Sequence, residues 1–464
     1  GPAAGITVPE GARTIEWTEG SLTPGLVEAN GRVESADLIS PPNRSAEDVV
    51  RDLFGARFAH ERAIVPLEER IATGTISPDE LDRLLHGTSG ESDVAAPPTP
   101  GTVFDPINDA RQGCCAICSG QMPSRAEALA LASGVDDRRP ITEQSAEIVP
   151  HTAVLDTVDL DSPDFQRLAR GGVTTVYCSP DSSAVIGPRG AILRTAGPID
   201  SRVVAPTRAV KATVGSDPTF VGSYNRTPWR DSVSAFTRRP TTRMGVTWVF
   251  RKAFHDSLLR KLGRPASGGA DTPSEEASAV LIDVLDARVP LRIQARALQD
   301  IQTAFRLADE FGLDFVLEEA TEAYRCLDLL AARKAPVIFG PIYDVAGPSP
   351  RLYSGESRDS KLNTLTLLEK AGIRTALSAQ ELRDEDGLAR QAMYAMRYGL
   401  TLDEALASVT SIPAEILGLD DVGRLEVGKR GDVVLWSGAP FAATSQPLVV
   451  VVGGDIAVDL RGDR

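Results

Sequence analysis

The chain has 464 residues, of which 42% are apolar and 24% are charged, and its formal net charge is −15. A chain of this length and apolar content can bury one or two large cores, which indicates a globular, soluble protein. The acidic excess repels phosphate backbones, and no run of about 18 apolar residues occurs, so nucleic-acid binding and membrane-spanning classes are excluded.

Both ends of the chain contain short β-type runs broken by Gly and Pro, in residues 1–20 and 420–464. They include 432–436 and Pro447–Val452, and they predict a small β-sandwich built from the two ends. The chain opens at Gly1 without a basic and then apolar leader. We therefore expect a truncated or processed start, and the cellular compartment stays unknown.

Residues 37–149 do not follow the alternation of strand and helix signals found in the middle of the chain. They contain two helical segments, 46–54 and 80–85, and then a linker rich in Pro, Gly and Ser at 87–101. A strand-to-helix connection normally needs only a few residues, so a segment of this length predicts an inserted subdomain or lid.

Three of the five cysteines lie in this segment, at Cys114, Cys115 and Cys118. Adjacent cysteines pair poorly, so a regular disulfide framework is not expected, although one bridge stays open. Thiolates bind zinc well, which makes this cluster a weak metal candidate. Without a second pair or a histidine at ligand spacing, we favour reduced thiols or one disulfide.

The remaining residues, 21–36 and 150–419, alternate between strand and helix signals. Residues 172–177, 313–317 and 335–339 are strand-like, whereas Leu298–Phe311 and 321–332 have apolar residues at helical spacing. Residues 262–278 are rich in Gly, Ser and acids and predict a flexible loop. Repeated βα units indicate parallel strands and an α/β protein, for which a (β/α)₈ TIM-like barrel is the best fit.

Several motifs resemble the amidohydrolase superfamily, in particular its imidazolonepropionase-like and deacetylase-like, metal-dependent branch. The most specific is the closing segment, which runs from 400–406 through 410–419 to 422–436. Residues 171–176 are similar to an early barrel strand of that family, and residues 23–32 have the frame of its first metal-binding motif. The resemblance implies a barrel with one or two divalent metal ions, whose bound water attacks a C–N bond. It also implies several sandwich strands before a segment like residues 6–12, and we expect that those strands are missing here.

This chain departs from the family at each expected metal or proton-transfer position. The first two histidines fall on Asn30 and Arg32, and Arg brings a permanent positive charge where a cation belongs. The bridging lysine or glutamate falls near Arg194, the later histidines on Gln294 and Glu319, and the general base on Gln380, which cannot take a proton at neutral pH. The sequence therefore predicts no catalytic residue and no resident cofactor.

The residues at and near these positions suggest that charged side chains replace the metal ion. If Arg32, Arg194, Glu318 and Glu319 still converge, the arginines stand where the cation stood and pair with the glutamates. The alternative is that these side chains point apart into solvent.

Other residues offer little chemistry. None of the four histidines, His60, His86, His151 and His255, follows a predicted barrel strand. Cys178 ends a strand, where it could act as a nucleophile. No histidine is placed to activate it, so a buried cysteine is the better interpretation.

Three functions remain open on sequence grounds. The first is a non-catalytic amidohydrolase-like scaffold, a pseudoenzyme that pairs as a homo-oligomer or with an active relative. The second is a hydrolase of amides or cyclic amides with a rebuilt site, for instance divalent metal bound through acidic residues such as Glu28. The third is a binding protein that captures an anionic small molecule through Arg32 and Arg194.

Overall fold

A computed structural model describes residues 14–17, 20–33, 146–219, 240–269, 271–342, 361–383 and 387–463. These residues fall in one of the chain's two units, which comprises Gly1–Asp37, Pro140–Ser223 and Arg239–Arg464. The helical segments, linker and cysteine cluster expected in residues 37–149, together with His60 and His86, lie outside the described residues.

The described chain alternates strands and helices, so it is an α/β protein. The strands are β1 Ser21–Pro24, β2 Leu26–Gly31, β3 Val173–Cys178, β4 Ile186–Arg189, β5 Ala191–Arg194, β6 Val203–Ala205, β7 Val210–Thr213, β8 Leu291–Ala295, β9 Phe315–Glu319, β10 Val337–Phe339, β11 Thr375–Leu377, β12 Val433–Trp436, β13 Pro447–Val452 and β14 Asp455–Asp459. The helices are α1 Pro163–Arg170, α2 Ile199–Arg202, α3 Arg243–Lys261, α4 Glu275–Leu285, α5 Leu298–Phe311, α6 Leu327–Arg333, α7 Thr364–Lys370, α8 Leu388–Arg397, α9 Leu402–Ser408 and α10 Ser411–Leu417.

The strands form three sheets. The first is antiparallel, in the order β1-β12-β13-β14. The second has the order β11-β10-β9-β8-β7-β4 and is parallel from β11 to β7, with β4 antiparallel at its edge. The third has the order β2-β3-β5-β6, in which β2 and β3 are parallel.

The second and third sheets meet at two places. Gly190 lies between β4 and β5, and its backbone N–H donates to the carbonyl of Ala209. A Cβ at position 190 would lie 2.3 Å from the Tyr177 ring, so only glycine fits this junction. At the other side, the N–H of Arg32, just after β2, faces the carbonyl of Gln380, just after β11, at 3.4 Å.

Two apolar clusters line opposite faces of these strands. One contains Val27, Tyr177, Ile192, Ile338 and Ala376, which come from strands of both sheets. The other, much larger cluster includes residues of α3, α4 and α5 and the alternate strand positions. This two-sided burial follows from the period of two along a strand and explains why the strands are apolar throughout.

Local sequence accounts for most element boundaries. The prediction for Leu298–Phe311 matches α5, which ends because Gly312 adopts a left-handed backbone with φ of 67°. The predicted loop at 262–278 is shorter than expected, because Ser274 accepts a hydrogen bond from Ala277 and starts α4 at Glu275. The predicted helix at 321–332 is split into a 3₁₀ turn, Ala323–Arg325, and α6.

Within the described ranges, no helix combines the length and the apolar character needed to cross a membrane.

Candidate functional site

Polar residues gather where parallel strands end. Parallel strands have their carboxyl ends at the same edge of a sheet. This holds for β2 with β3 and for β7 to β11. Charged side chains at or just beyond these ends, and Lys211 and Arg292 further back in β7 and β8, are buried, which is costly unless each charge is paired. We call the paired set, formed by Arg32, Lys211, Asp217, Arg292, Arg296, Glu318 and Glu319, the ion-pair network.

Glu319, the last residue of β9, joins two arginines. Arg32 approaches it with Nη2 at 3.4 Å from Oε1, and the Nε of Arg296 donates to Oε2. The side chain of Glu319 is fully buried, and those of Arg32 and Arg296 are 10% and 2% exposed. The predicted pairing of Arg32 with a glutamate is therefore present in the structure.

Asp217 extends the network. Its Oδ1 accepts from Arg296 at 2.7 Å, and its Oδ2 accepts from Ser182 at 2.5 Å and from Gln294 at 3.0 Å. Burial by itself raises the pKa of Asp217, but the Arg296 charge and these hydrogen bonds outweigh it and hold the pKa below its ordinary value. Asp217 is therefore ionised at neutral pH.

Glu318 is the second centre of the network. Lys211 donates to its Oε2 and Arg292 to its Oε1, and all three side chains are at most 3% exposed. Burial raises the pKa of Glu318, but the charges of Arg292 and Lys211 reverse that effect and lower it. Burial lowers the pKa of Lys211. Arg292 also stacks on Tyr177, with its guanidinium carbon 3.8 Å from the ring centroid.

Glu28 lies beside the network but has no cationic partner among the residues described. Its carboxylate accepts from Ser378 at 2.6 Å and from the backbone N–H groups of Ala379 and Asn30 at 2.8 and 2.9 Å. These bonds tie β2 to the chain after β11. Burial dominates and raises the pKa of Glu28, although the three donors act against it.

Arg194 lies away from the glutamates. It pairs in register with Thr175, towards the start of β3, and its guanidinium lies beside Gly453. Strand β5 runs antiparallel to β3, so its last residue points away from the edge at which β3 ends. The positive charge that we expected from Arg194 is supplied by Lys211, Arg292 and Arg296 instead.

Backbone strain also marks this edge. Glu319, Ala320 and Gln380 have φ angles of 68°, 45° and 56°, a left-handed region that residues other than glycine seldom occupy. Such strain costs about 1 to 3 kcal/mol per residue and concentrates at functional sites. Two of the three residues, Glu319 and Gln380, are positions at which the family resemblance implies a metal ligand and a general base.

These residues do not fit the metal centre that the resemblance implies. Asn30 and Gln294 present neutral amides, Arg32 and Arg296 bring permanent charges, and Glu319 is already bound by both arginines. In the described part of the chain, no group of three or more His, Cys, Asp or Glu side chains is arranged to hold a metal ion. The residues at this edge therefore do not form the metal centre that the resemblance implies.

The remaining sequence candidates take simple positions. Cys178 ends β3 and is buried without a disulfide, and burial raises the pKa of its thiol, so it is poorly suited to act as a nucleophile. His255 lies in α3 with its side chain 57% exposed, near Asp256, and His151 is exposed in a turn. Cys114, Cys115 and Cys118 lie outside the described residues.

Sequence reasoning missed Lys211, Asp217, Arg292 and Arg296. A usable signal was present, because Arg292, Gln294 and Arg296 alternate along β8 and its extension and so share one face. Lys211 similarly interrupts the short β-type run of β7. Charged residues at alternate positions of an otherwise buried strand indicate a paired interior cluster.

Comparison with known proteins gives consistent matches. A family model described as the amidohydrolase family matches residues 370–458. An amidohydrolase designated tasK of Hapsidospora irregularis is 23% identical over 350 residues, covering 70% of this chain and 34% of that protein. An imidazolonepropionase of Mesorhizobium japonicum is 28% identical over 155 residues, covering 32% of this chain and 35% of that protein. The chain thus spans about a third of the length of these curated relatives.

Among solved structures, an amidohydrolase from Thermotoga maritima MSB8 is 30% identical to this chain. The match has a TM-score of 0.57 and covers 68% of this chain and 79% of that one. Identity at this level extends over two thirds or more of both chains. The chain therefore belongs to the amidohydrolase family.

Proposed function

We propose that this chain is an amidohydrolase-like protein whose strand edge has exchanged a metal centre for the ion-pair network, and that it acts as a non-catalytic scaffold or partner subunit. The observation that carries the proposal is the placement of Glu319 between Arg32 and Arg296. A guanidinium occupies the side of the carboxylate that a metal ion would need, and a paired buried charge is expensive to separate.

The proposed architecture is a (β/α)₈ barrel. Its support is the apolar cluster that joins residues of both sheets, together with the contacts at Gly190 and between the ends of β2 and β11. We further propose a small β-sandwich from residues 1–20 and 420–464, a barrel from 21–36 and 150–419, and an insertion at 37–149. The antiparallel sheet of β12 to β14 lies within 420–464 and supports a module near the chain ends. Its fourth strand, β1 at Ser21–Pro24, favours a boundary between this module and the barrel after residue 24 rather than after residue 20.

Metal content tests the loss of the metal centre. Protein purified without chelators or added metal would be analysed for zinc, iron, manganese, nickel, magnesium and calcium, and we expect far less than one equivalent of any. Added zinc should also leave the unfolding midpoint unchanged, since a ligand that binds only the folded state raises it. One or two equivalents that survive mild chelation would favour the active-hydrolase alternative.

A matched variant locates any metal that is found. If the metal disappears when Cys114, Cys115 and Cys118 are all changed to serine, it belongs to the cysteine cluster and the proposal for the strand edge stands. If the metal persists in that variant and is lost in Glu319→Gln, the strand edge binds it and the proposal fails. Hydrolysis of amides and cyclic amides would then be the next assay.

The binding partner of the scaffold is also a proposal. A scaffold needs a binding partner, either a second copy of this chain or an active relative. Sedimentation analysis of the purified chain distinguishes a monomer from a homo-oligomer, and a monomer would favour the active relative.

A further inference from the structure

Four buried side chains at the strand edge have hydrogen-bonding atoms without a partner in the described structure. They are Asn30, at both its Oδ1 and Nδ2, Asp181 at Oδ2, Thr213 at Oγ1 and Gln294 at Oε1. Each of the four residues is at most 2% exposed. Leaving a buried polar group without a partner is costly, so four such residues in one region call for a ligand or ordered water.

The four residues share one edge of the fold. Asn30 lies near the end of β2, and Thr213 and Gln294 are paired in register at the ends of β7 and β8. Asp181 lies in the segment that links the two places. At the start of that segment, the Ser179 N–H donates to the carbonyl of Gly31, at the end of β2. Further along, the Ser182 hydroxyl and the Gln294 side-chain amide both donate to Oδ2 of Asp217.

The charges at this edge argue against an anion. Arg292 and Arg296 are each bound to a carboxylate, as is Lys211. An anionic ligand would have to displace a buried glutamate or aspartate from its cation, which leaves an uncompensated buried charge. Capture of an anion through these groups is therefore disfavoured on energetic grounds. Arg32, one of the two arginines that the sequence suggests for anion capture, is likewise paired with Glu319.

The unmet hydrogen-bonding capacity is mostly that of acceptors. Asp181 Oδ2, Gln294 Oε1 and Asn30 Oδ1 only accept, and the Thr213 hydroxyl can accept or donate. The Gln294 amide is oriented by its Nε2, which donates to Asp217, so its oxygen is the free atom. Asn30 Nδ2 is the single obligatory donor among these atoms. A complementary ligand must therefore present several N–H groups.

We infer that this edge holds a binding site for a small primary ammonium group, with Asp181 supplying the opposite charge and Thr213, Gln294 and Asn30 accepting its N–H bonds. An ammonium head carries three donors on one compact cation, which matches an acceptor-rich site that includes a carboxylate. The ligand must be small because the accepting atoms are enclosed. This inference rests on the contacts at the edge and does not depend on whether the chain hydrolyses anything.

Methylammonium chloride is a direct probe, with tetramethylammonium chloride and sodium chloride as controls at equal ionic strength. Tetramethylammonium has the same charge but no N–H group, so it separates hydrogen bonding from simple charge. We expect methylammonium to raise the unfolding midpoint in a saturable way, since it binds the folded state. The two control salts should give no saturable rise.

Substitutions assign the effect to the site. Thr213→Val replaces an unpartnered hydroxyl by a methyl group, so the ligand-free protein should be as stable as the natural one or more stable, while the methylammonium shift falls several-fold. Asp181→Asn should abolish most of the shift. Thr175→Val is the matched control, because Thr175 is also buried with an unpartnered hydroxyl but lies towards the start of β3, opposite Arg194.

Three results would overturn the inference. One is an equal shift with all three salts, which would show a general ionic effect. Another is no shift with methylammonium, which would leave ordered water as the partner of these atoms. The third is a full shift in Thr213→Val. Because Thr213→Val is isosteric, it keeps the test decisive even if Asp181→Asn fails to fold.

Discussion

The strand edge and the C-terminal sheet are stabilised in opposite ways. At the edge, Glu318 and Glu319 are held by cations that lie on neighbouring strands. In the sheet of β1 and β12 to β14, most buried residues are apolar, as with Val434, Trp436 and Val450, and no buried ion pair holds the strands together among the described residues. The family model matches residues 370–458, which include β12 and β13, whereas the edge carries most of the positions at which the resemblance implies metal ligands.

This difference shows which parts of a fold tolerate new chemistry. An apolar core depends on total volume and shape, so it changes little while the fold is kept. A buried polar edge depends on charge balance, and one changed ligand leaves other charges unpaired unless they change as well. The concerted presence of Arg32, Glu319, Arg296 and Asp217 is what such a balance requires.

The largest expected effect is at the strand edge. Glu318→Gln leaves Lys211 and Arg292 without a counter-charge inside the protein, which should lower the free energy of unfolding by about 5 kcal/mol. Urea unfolding followed by circular dichroism measures this change. The control is Asp309→Asn, which breaks an exposed pair with Arg333 and should have little effect. Equal effects of the two substitutions would contradict the importance of the buried network.

The corresponding test in the C-terminal sheet is Trp436→Ala. Trp436 is 1% exposed, packs edge-on against Phe441 at 5.3 Å between ring centroids, and donates to the Thr23 hydroxyl at 2.9 Å. Its loss leaves a cavity and should cost about 4 kcal/mol of unfolding free energy. Leu425→Ala, at a position 45% exposed, is the control and should be nearly neutral. A small effect of Trp436→Ala would mean that the sheet contributes little to stability.

The two regions should also differ in their response to pH. The pKa of Glu318 in the folded protein is below its ordinary value of 4.5, so its contribution to stability is complete above that value and is lost as pH falls through the folded pKa. The difference in unfolding free energy between the natural chain and Glu318→Gln should therefore shrink below about pH 4.5. Trp436→Ala should keep the same difference at each pH. A constant difference for Glu318→Gln would contradict the lowered pKa.

The smallest expected effect concerns the start of α9, in the segment that resembles the family most. Thr401 accepts from the Glu404 N–H at 3.3 Å, and Glu404 accepts from the Thr401 N–H at 2.7 Å, which forms a capping box. Thr401→Ala should lower the unfolding free energy by about 1 kcal/mol, whereas Thr401→Ser should preserve it. Loss of stability in both variants would indicate that the threonine methyl group matters more than the cap.

Local patterns predicted a large part of the secondary structure. The helix Leu298–Phe311 and the strand Pro447–Val452 have the predicted bounds, because helical periodicity and β-branched runs are properties of neighbouring residues. The start of α3 at Arg243 is likewise local, since the Thr242 side chain caps the helix by accepting a hydrogen bond from the Gly245 N–H. Family membership likewise followed from contiguous motifs near the C-terminus.

The site followed from sequence only in outline. Arg32 and Glu319 were expected to pair, but their contact spans 287 positions in the chain and depends on how β2 and β9 are placed. Arg194 was expected at the same edge, and the antiparallel direction of β5 carries it elsewhere. The sequence did not predict a role for Lys211 or Arg296, because a single cationic residue in or beside a strand does not indicate which residue it pairs with.

The sequence by itself determined the family, the α/β class and the bounds of several elements, and it led to the proposal that Asn30, Arg32 and Gln294 replace metal ligands. These depend on residue type and on spacing along the chain. Only the tertiary structure decided which charges meet, which strand end Arg194 approaches, and which atoms of Thr213 and Asp181 remain without partners. The physical reason is that ion pairing and burial depend on strand direction and register, which bring together residues far apart in the chain.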